Sequence, residues 1–293
     1  MEPRLSSKPA PHALDPGTAM GTVRLTIADL DRAQDFYARA IGLREVERSR
    51  DVARLGAEPG APLLELVGRP DTTPRPRRAT GLFHLAILVP SRAELARALK
   101  RVIDAGGSFT GASDHLVSEA LYLDDPEGNG IELYRDRPRE DWPRADGMLR
   151  MATDPLDVDS LMADLPGGPD EGMPQGTRMG HVHLQVADLA PAEAFYNGVL
   201  GFDVTVRGYP GALFLSAGGY HHHIGVNTWN SAGAPHPGPN ARGLSHFDVV
   251  VPDGDELERV AGRIDAAGLA SERSDGALLV ADPSGNRVRL RAA

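Results

Sequence analysis

The sequence repeats itself, and the repeat leaves few folds open. Residues 21–43, GTVRLTIADLDRAQDFYARAIGL, align with residues 180–202, GHVHLQVADLAPAEAFYNGVLGF, and ten of the twenty-three paired positions are identical. The shared residues include Ala28-Asp29-Leu30 against Ala187-Asp188-Leu189, and Phe36-Tyr37 against Phe195-Tyr196. A second pair also matches: GLFHLAILVP at 81–90 and GLSHFDVVVP at 243–252. Each leads to a related turn, Asp125-Pro126-Glu127-Gly128-Asn129 and Asp282-Pro283-Ser284-Gly285-Asn286. Self-similarity of this kind marks a fold assembled from repeated supersecondary units. Four modules arranged as two halves follow.

Each module opens on an alternating strand. In the third, Val182, Leu184 and Val186 share one face, with His181, His183 and Gln185 on the other. Helices are predicted over 30–41, 92–105, 190–200 and 254–267, with Asp29, Ser91 and Asp188 where N-caps belong. Three shorter strands with Gly, Pro and Asp turns complete each module. The expected fold is α+β: four β-α-β-β-β modules in two tandem domains, with cupped, mostly antiparallel sheets and outer helices. The domains are expected at 19–137 and 178–293. A loose, disordered tail is expected at 1–18. The linker 138–177 is dense in Pro, Gly and Asp and is expected to wrap the surface. Within it, Asp154 as N-cap and Pro155 in the first turn predict a short helix over 156–165.

The chain has no cysteine, so thiolate metal sites and a cysteine nucleophile are excluded; any metal must be held by His, Asp or Glu. A net charge of -10 argues against non-specific nucleic-acid binding. No apolar run approaches membrane-spanning length, and the N-terminal residues lack the core of a signal peptide. A cytoplasmic protein is expected, with no membrane partner. The sequence leaves assembly into a homo-oligomer open.

The candidate chemistry starts at Glu132. In the closing strand of module two, Ile131 and Leu133 point one way, Glu132 and Tyr134 the other. A carboxylate among large apolar residues is costly unless it meets water, a cation or a metal. The equivalent position in module four is Arg289, which stays protonated and cannot ligate a metal. At about 5 Å and an effective dielectric near 20, each unit of like charge costs roughly 3 kcal/mol, so Arg289 argues against a divalent cation beside it. The inward position of the opening strands is Thr22, His84, His181 and His246 in modules one to four. Three histidines at equivalent places of a repeat are candidate ligands. Module three ends in a run, His221-His222-His223, before Ile224-Gly225-Val226. Strict alternation places His221 and His223 inward; a bulge reverses this, and the sequence leaves the register open. A neutral imidazole beside a metal suits acid/base chemistry.

These residues resemble the vicinal-oxygen-chelate superfamily, which includes glyoxalase I, bleomycin-resistance proteins and type I extradiol dioxygenases. The resemblance covers about residues 20–290. The stretch from His115 through Leu121-Tyr122, Asp125-Pro126 and Gly128 to Glu132 is similar to the extradiol signature. The chain as a whole is similar to bacterial catechol 2,3-dioxygenase-like proteins, with GGYHHHIGVNTW as a second shared block. The resemblance implies paired modules cupped around a metal, Fe(II) or else Mn(II), held by two histidines and a glutamate. It carries over Glu132 and His84 directly. The other histidine should come from the paired module, and Thr22 is unsuitable. His181 is therefore inferred, with module two pairing with module three across the halves and His246 as the alternative partner. The block match makes His222 the acid/base, with His223 as the alternation-based choice; His115 and Tyr122 become hydrogen-bonding groups around the metal. The chain departs from ordinary extradiol enzymes, which pair consecutive modules and carry the complete site in the C-terminal half.

The implied function is metal-dependent ring cleavage of a catechol, a small aromatic diol, with O2. Two other classes compete. A glyoxalase-like isomerase or lyase usually wants a second carboxylate at the metal, where this chain has its histidine run. A non-catalytic small-molecule binding protein needs only an apolar cup, which the polar concave faces argue against.

Overall fold

A computed structural model describes residues 12–145 and 147–293. Module one is β1 (Ala19–Ile27), α1 (Leu30–Phe36), β2 (Arg44–Arg48), β3 (Val52–Glu58) and β4 (Ala61–Gly68). Module two is β5 (Gly81–Leu88), α2 (Arg92–Asp104), β6 (Gly111–Asp114), β7 (Ser118–Asp124) and β8 (Gly130–Asp136). The connecting segment holds β9 (Arg144–Ala145), β10 (Met148–Leu149), β11 (Asp154–Pro155) and α3 (Val158–Ala163). Module three is β12 (Arg178–Gln185), α4 (Leu189–Glu193), β13 (Asp203–Val206), β14 (Ala212–Ser216) and β15 (Ile224–Asn227). Module four is β16 (Gly243–Val251), α5 (Gly254–Ala266), β17 (Ser271–Ser274), β18 (Ala277–Ala281) and β19 (Arg287–Ala292). The fold is α+β, with four β-α-β-β-β modules. Helices α1 and α4 run on as π-helical turns over Tyr37–Ile41 and Ala194–Leu200. Asp29, Ser91 and Asp188 each accept a backbone N–H at their helix start.

Neither large sheet is built from one half of the chain. One runs β17-β18-β19-β16-β1-β4-β3-β2 and joins module four to module one. The other runs β11-β6-β7-β8-β5-β12-β15-β14-β13 and joins module two to module three. The seams are antiparallel pairs of opening strands, β1 with β16 and β5 with β12. Within each module the opening strand pairs in parallel with the closing strand. One hydrophobic core serves all four modules, with Val23, Leu85, Val182 and Phe247 in the same cluster.

The two repeated motifs of the sequence meet in space. The Tyr37 hydroxyl donates to Asp125 Oδ2 at 3.1 Å, and the Tyr196 hydroxyl to Asp282 Oδ2 at 3.0 Å. Each aspartate also takes two backbone N–H groups of its own turn and the amide of Asn129 or Asn286. So helix-to-turn locks run within each half, while the strand seams run between halves.

The connecting segment corrects one expectation. Asp154-Pro155 does not start a helix but is extended as β11 and pairs with Asp114 and Ser113 of β6. A residue before proline avoids the α region. Asp157 caps α3 instead, accepting from Ser160 N. Of the expected tail, residues 1–11 lie outside the described residues. Leu14 is buried and its N–H donates to Gly201 O at 2.9 Å, so 12–18 is a packed segment rather than a loose one.

Candidate active site

The seam between β5 and β12 creates the site. The strand pairing sets Glu132 of β8, Ala86 of β5 and His181 of β12 in one row. In the next row, His84 lies between Gly130 and His183, and His183 is flanked by Gly225. The small residues make room for the rings. A Cβ on Gly225 would sit 2.9 Å from His183 Cγ, and one on Gly180 would sit 1.8 Å from the Tyr134 hydroxyl. Glycine in a strand commonly marks such a close approach by a neighbouring group.

His84 Nε2 lies 2.9 Å and His181 Nε2 3.1 Å from the same oxygen, Glu132 Oε2. All three residues are buried, and their ligand atoms lie within 4.8 Å of one another. His84 Nε2 makes no hydrogen bond of acceptable geometry despite its short distance to the carboxylate. A buried ring nitrogen left without a partner is a position that a metal could satisfy. Two imidazoles and one carboxylate are a donor set that suits Fe(II), Mn(II) and similar ions and leaves coordination positions open. Burial alone would raise the Glu132 carboxyl; the hydrogen bond from His181 and the neighbouring His84 ring override it and hold it well below its ordinary value. Burial pushes His181 down to about 4, against the pull of Glu132, so its imidazole is neutral, with Nε2 as the donor to Glu132.

His222 stands beside this group, its ring centroid 4.0 Å from that of His181. Burial pushes it well below the ordinary histidine value. Strict alternation does not apply to the histidine run: residues 217–223 lie in turns, bends and irregular backbone, and β15 starts only at Ile224. His223 therefore faces elsewhere. Its Nδ1 accepts from Ala217 N at 3.2 Å, and it lines a separate hollow with Arg139, Arg178 and Tyr220. His221 is buried behind His222.

His115 and Tyr122 sit across the cavity. His115 Nδ1 is 2.6 Å from the Ala152 carbonyl, and its Nε2 is 2.6 Å from the Tyr122 hydroxyl. A carbonyl only accepts, so Nδ1 carries the hydrogen and, in the neutral ring, Tyr122 donates to Nε2. Burial and the nearby Glu132 charge raise the Tyr122 phenol well above its ordinary value.

These groups line a cavity of about 260 Å³ with Phe83, His183, Tyr209, Phe214 and Trp229. That is just below the roughly 300–1,000 Å³ of pockets for drug-sized ligands, and suits a smaller molecule. Phe83 packs edge-on to His183 and Trp229, with centroids 5.1 and 5.3 Å away. Met151, Ala152 and Thr153 of the connecting segment close one side. Thr153 Oγ1 lies 2.5 Å from the Tyr209 hydroxyl. The segment expected only to wrap the surface thus supplies part of the wall.

His246, the alternative ligand, is in the other sheet. Its cup is filled by ion pairs. Arg289 binds Asp248 through two bonds of 2.8 and 2.6 Å, and Arg24 and Arg54 pair with Glu65. His246 lies 3.9 Å from Asp248, and burial pushes it down to about 4. Thr22 donates to the Pro62 carbonyl.

Two residues of the site were not singled out from sequence. His183 shares the inward face with His181 and is buried with Nε2 unpartnered. Asp136 continues the alternation of Glu132 and Tyr134 on β8 and accepts from His221 Nε2 at 2.8 Å. In both cases the two-residue period carried the signal.

The family model of the glyoxalase/bleomycin resistance protein/dioxygenase superfamily matches residues 19–133 and 178–290. A catechol-2,3-dioxygenase of Bacillus subtilis (strain 168) is 45% identical over 270 residues, covering 91% of this chain and 94% of that protein. A biphenyl-2,3-diol 1,2-dioxygenase of Pseudomonas sp. (strain KKS102) is 25% identical over 264 residues, covering 85% and 78%. Among solved structures, glyoxalase I of Zea mays superposes with a TM-score of 0.58 at 18% identity, covering 94% of this chain and 92% of that one. No helix among the described residues is long and apolar enough to cross a membrane. With both repeats matched by one family model, and with a full-length relative at this identity, the chain belongs to the glyoxalase/bleomycin resistance/dioxygenase superfamily.

Proposed function

We propose that this protein is an extradiol dioxygenase that opens the ring of a catechol-type substrate with O2. The observation that carries the reading is the convergence of His84, His181 and Glu132 on one buried point, with His222 beside it and an aromatic cavity in front. The 45% identical relative named as a catechol-2,3-dioxygenase supports it. His84, His181 and Glu132 would hold the metal, with Fe(II) the first choice and Mn(II) the second. Bound there, the metal would acidify a substrate hydroxyl and bring both reactants together.

The chain's own residues have distinct tasks. Phe83, Phe214 and Trp229 offer flat walls to a planar ring and exclude water. His222, neutral and buried, accepts the proton released by the substrate hydroxyl and returns it to the product. Tyr122, held by His115, offers a hydroxyl oxygen and a fixed dipole on the opposite wall. His223 has no place in this scheme. The cluster able to hold a metal contains one carboxylate, which disfavours an isomerase that needs a second.

The test is direct. Protein loaded with Fe(II) under argon should do nothing to catechol until oxygen is admitted, then consume it and form a yellow ring-opened product. Turnover that continues without oxygen would favour the isomerase class. Protein that takes up neither Fe(II) nor Mn(II) would favour a binding role.

A further inference from the structure

Behind His222 lies a chain of hydrogen bonds that substrate and metal binding do not require. His222 Nδ1 is 2.7 Å from His221 Nδ1, and His221 Nε2 is 2.8 Å from Asp136 Oδ1. The same oxygen accepts from the Tyr220 hydroxyl at 3.1 Å. The Tyr134 hydroxyl lies 2.8 Å from that of Tyr220, and donates to it because the Tyr220 hydrogen is already given to Asp136. His221 is fully buried, and the Asp136 side chain is 22% exposed.

The hydrogens follow by elimination. A carboxylate oxygen only accepts, so His221 Nε2 carries a hydrogen. In a neutral imidazole the other nitrogen is then bare. The 2.7 Å contact between the two Nδ1 atoms needs one hydrogen, which must come from His222. His222 is left with Nδ1–H engaged and Nε2 as its free lone pair, in a ring that lines the cavity with His84 and Glu132.

We propose that Asp136 and His221 are positioning residues that fix the tautomer and orientation of His222, leaving its Nε2 as the base. This rests on the reading of His222 as the acid/base group. In the step, the substrate O–H bond breaks and an Nε2–H bond forms on His222. The positive charge is shared by the histidine pair against the Asp136 carboxylate. The proton leaves by the same nitrogen when product forms, so nothing is gained or lost over the cycle.

Nitrogen-15 NMR of the imidazoles, on metal-free and zinc-loaded protein, reads the tautomer without any turnover. His222 should show a protonated Nδ1 and a bare Nε2. Asp136→Asn presents an amide that can donate to His221 and reverse the chain, as amides beside histidines do elsewhere. His222 should then carry its hydrogen on Nε2. In the Fe(II)-loaded protein the same variant should lose about 100-fold or more in kcat, with KM and metal content near the parent's. Asp136→Glu should restore part of kcat. A wild-type His222 with hydrogen on Nε2 would overturn the proposal even if no variant folds. An Asp136→Asn protein of unchanged tautomer and kcat would do so as well. If the protein turns over no catechol, the function reading fails alone, and the NMR result still decides the tautomer.

Discussion

Glu132 and Asp136 stand four residues apart on one face of β8, and each receives an imidazole from the other half of the chain. His181 Nε2 is 3.1 Å from Glu132 Oε2, and His221 Nε2 is 2.8 Å from Asp136 Oδ1. Tyr134, between them, reaches the Tyr220 hydroxyl. One strand therefore supplies both the carboxylate proposed to hold the metal and the carboxylate proposed to orient the base. The two-residue period of a strand makes this arrangement available from seven consecutive residues.

Glu132→Gln removes the one carboxylate of the cluster. Metal content after Fe(II) loading should fall steeply, and kcat/KM by about 100-fold or more, since even a partner of a ligand is worth 10–100-fold. Metal analysis and oxygen uptake on the same sample check it. A variant with full iron occupancy and full rate would sink the assignment of Glu132.

Ala86 separates Glu132 from His181 in their shared row. Ala86→Val should crowd that row, costing roughly 1–3 kcal/mol of stability while leaving the fold intact. Metal affinity should drop more than stability does. Denaturation curves and metal titration, run side by side, separate the two effects.

Metal should stabilise the native state, because unfolding scatters its ligands across both halves. At about 100 times the dissociation constant the gain is about 2.7 kcal/mol. Thermal melts with Fe(II) or Mn(II) under argon should shift upward and return with chelator. His84→Ala should abolish the shift.

His223 and His246 are both harder to protonate in the fold than in the unfolded chain, chiefly through burial, which brings them to about 3 and about 4 from 6.5. Between about pH 6.5 and 4 the unfolded chain binds more protons. Stability is thus fully present above that window and falls as pH drops through it, by about 1.4 kcal/mol per pH unit for each histidine. Urea unfolding at several pH values should show a shallower decline in His246→Gln than in the parent.

The Tyr37 and Tyr196 hydroxyls serve buried aspartates in equivalent turns. Tyr37→Phe and Tyr196→Phe should each cost about 1–2 kcal/mol, because each leaves an acceptor short of a donor. As the sites lie in separate turns, the double variant should lose close to the sum. Chemical denaturation of the three proteins decides this.

Much of this organisation was legible in the sequence. The repeat gave the modules, and the charge of Arg289 against Glu132 pointed to the cup that holds the metal candidates. The unsuitability of Thr22 pointed to His181 and to pairing across the halves, which the β5–β12 seam displays. Alternation failed at His221 to His223, because residues outside a strand obey no period. It holds at His183 and Asp136, where the strand does extend. The wall made by Met151 to Thr153 was invisible, since a Pro- and Gly-rich segment carries no pattern that tells where it docks. The start of α3 was misplaced because Asp154 and Asp157 are both plausible caps, and only pairing with β6 selects between them.

The cup of β1 and β16 is a spare copy. It has the same strand plan as its equipped counterpart, but its concave face is a lattice of Arg54, Glu65, Arg24, Asp248 and Arg289. Paired charges fill that concave face where the β5–β12 cup carries histidines, one carboxylate and aromatic rings. Behaviour common to both cups belongs to the scaffold, and behaviour confined to the β5–β12 cup belongs to its chemistry.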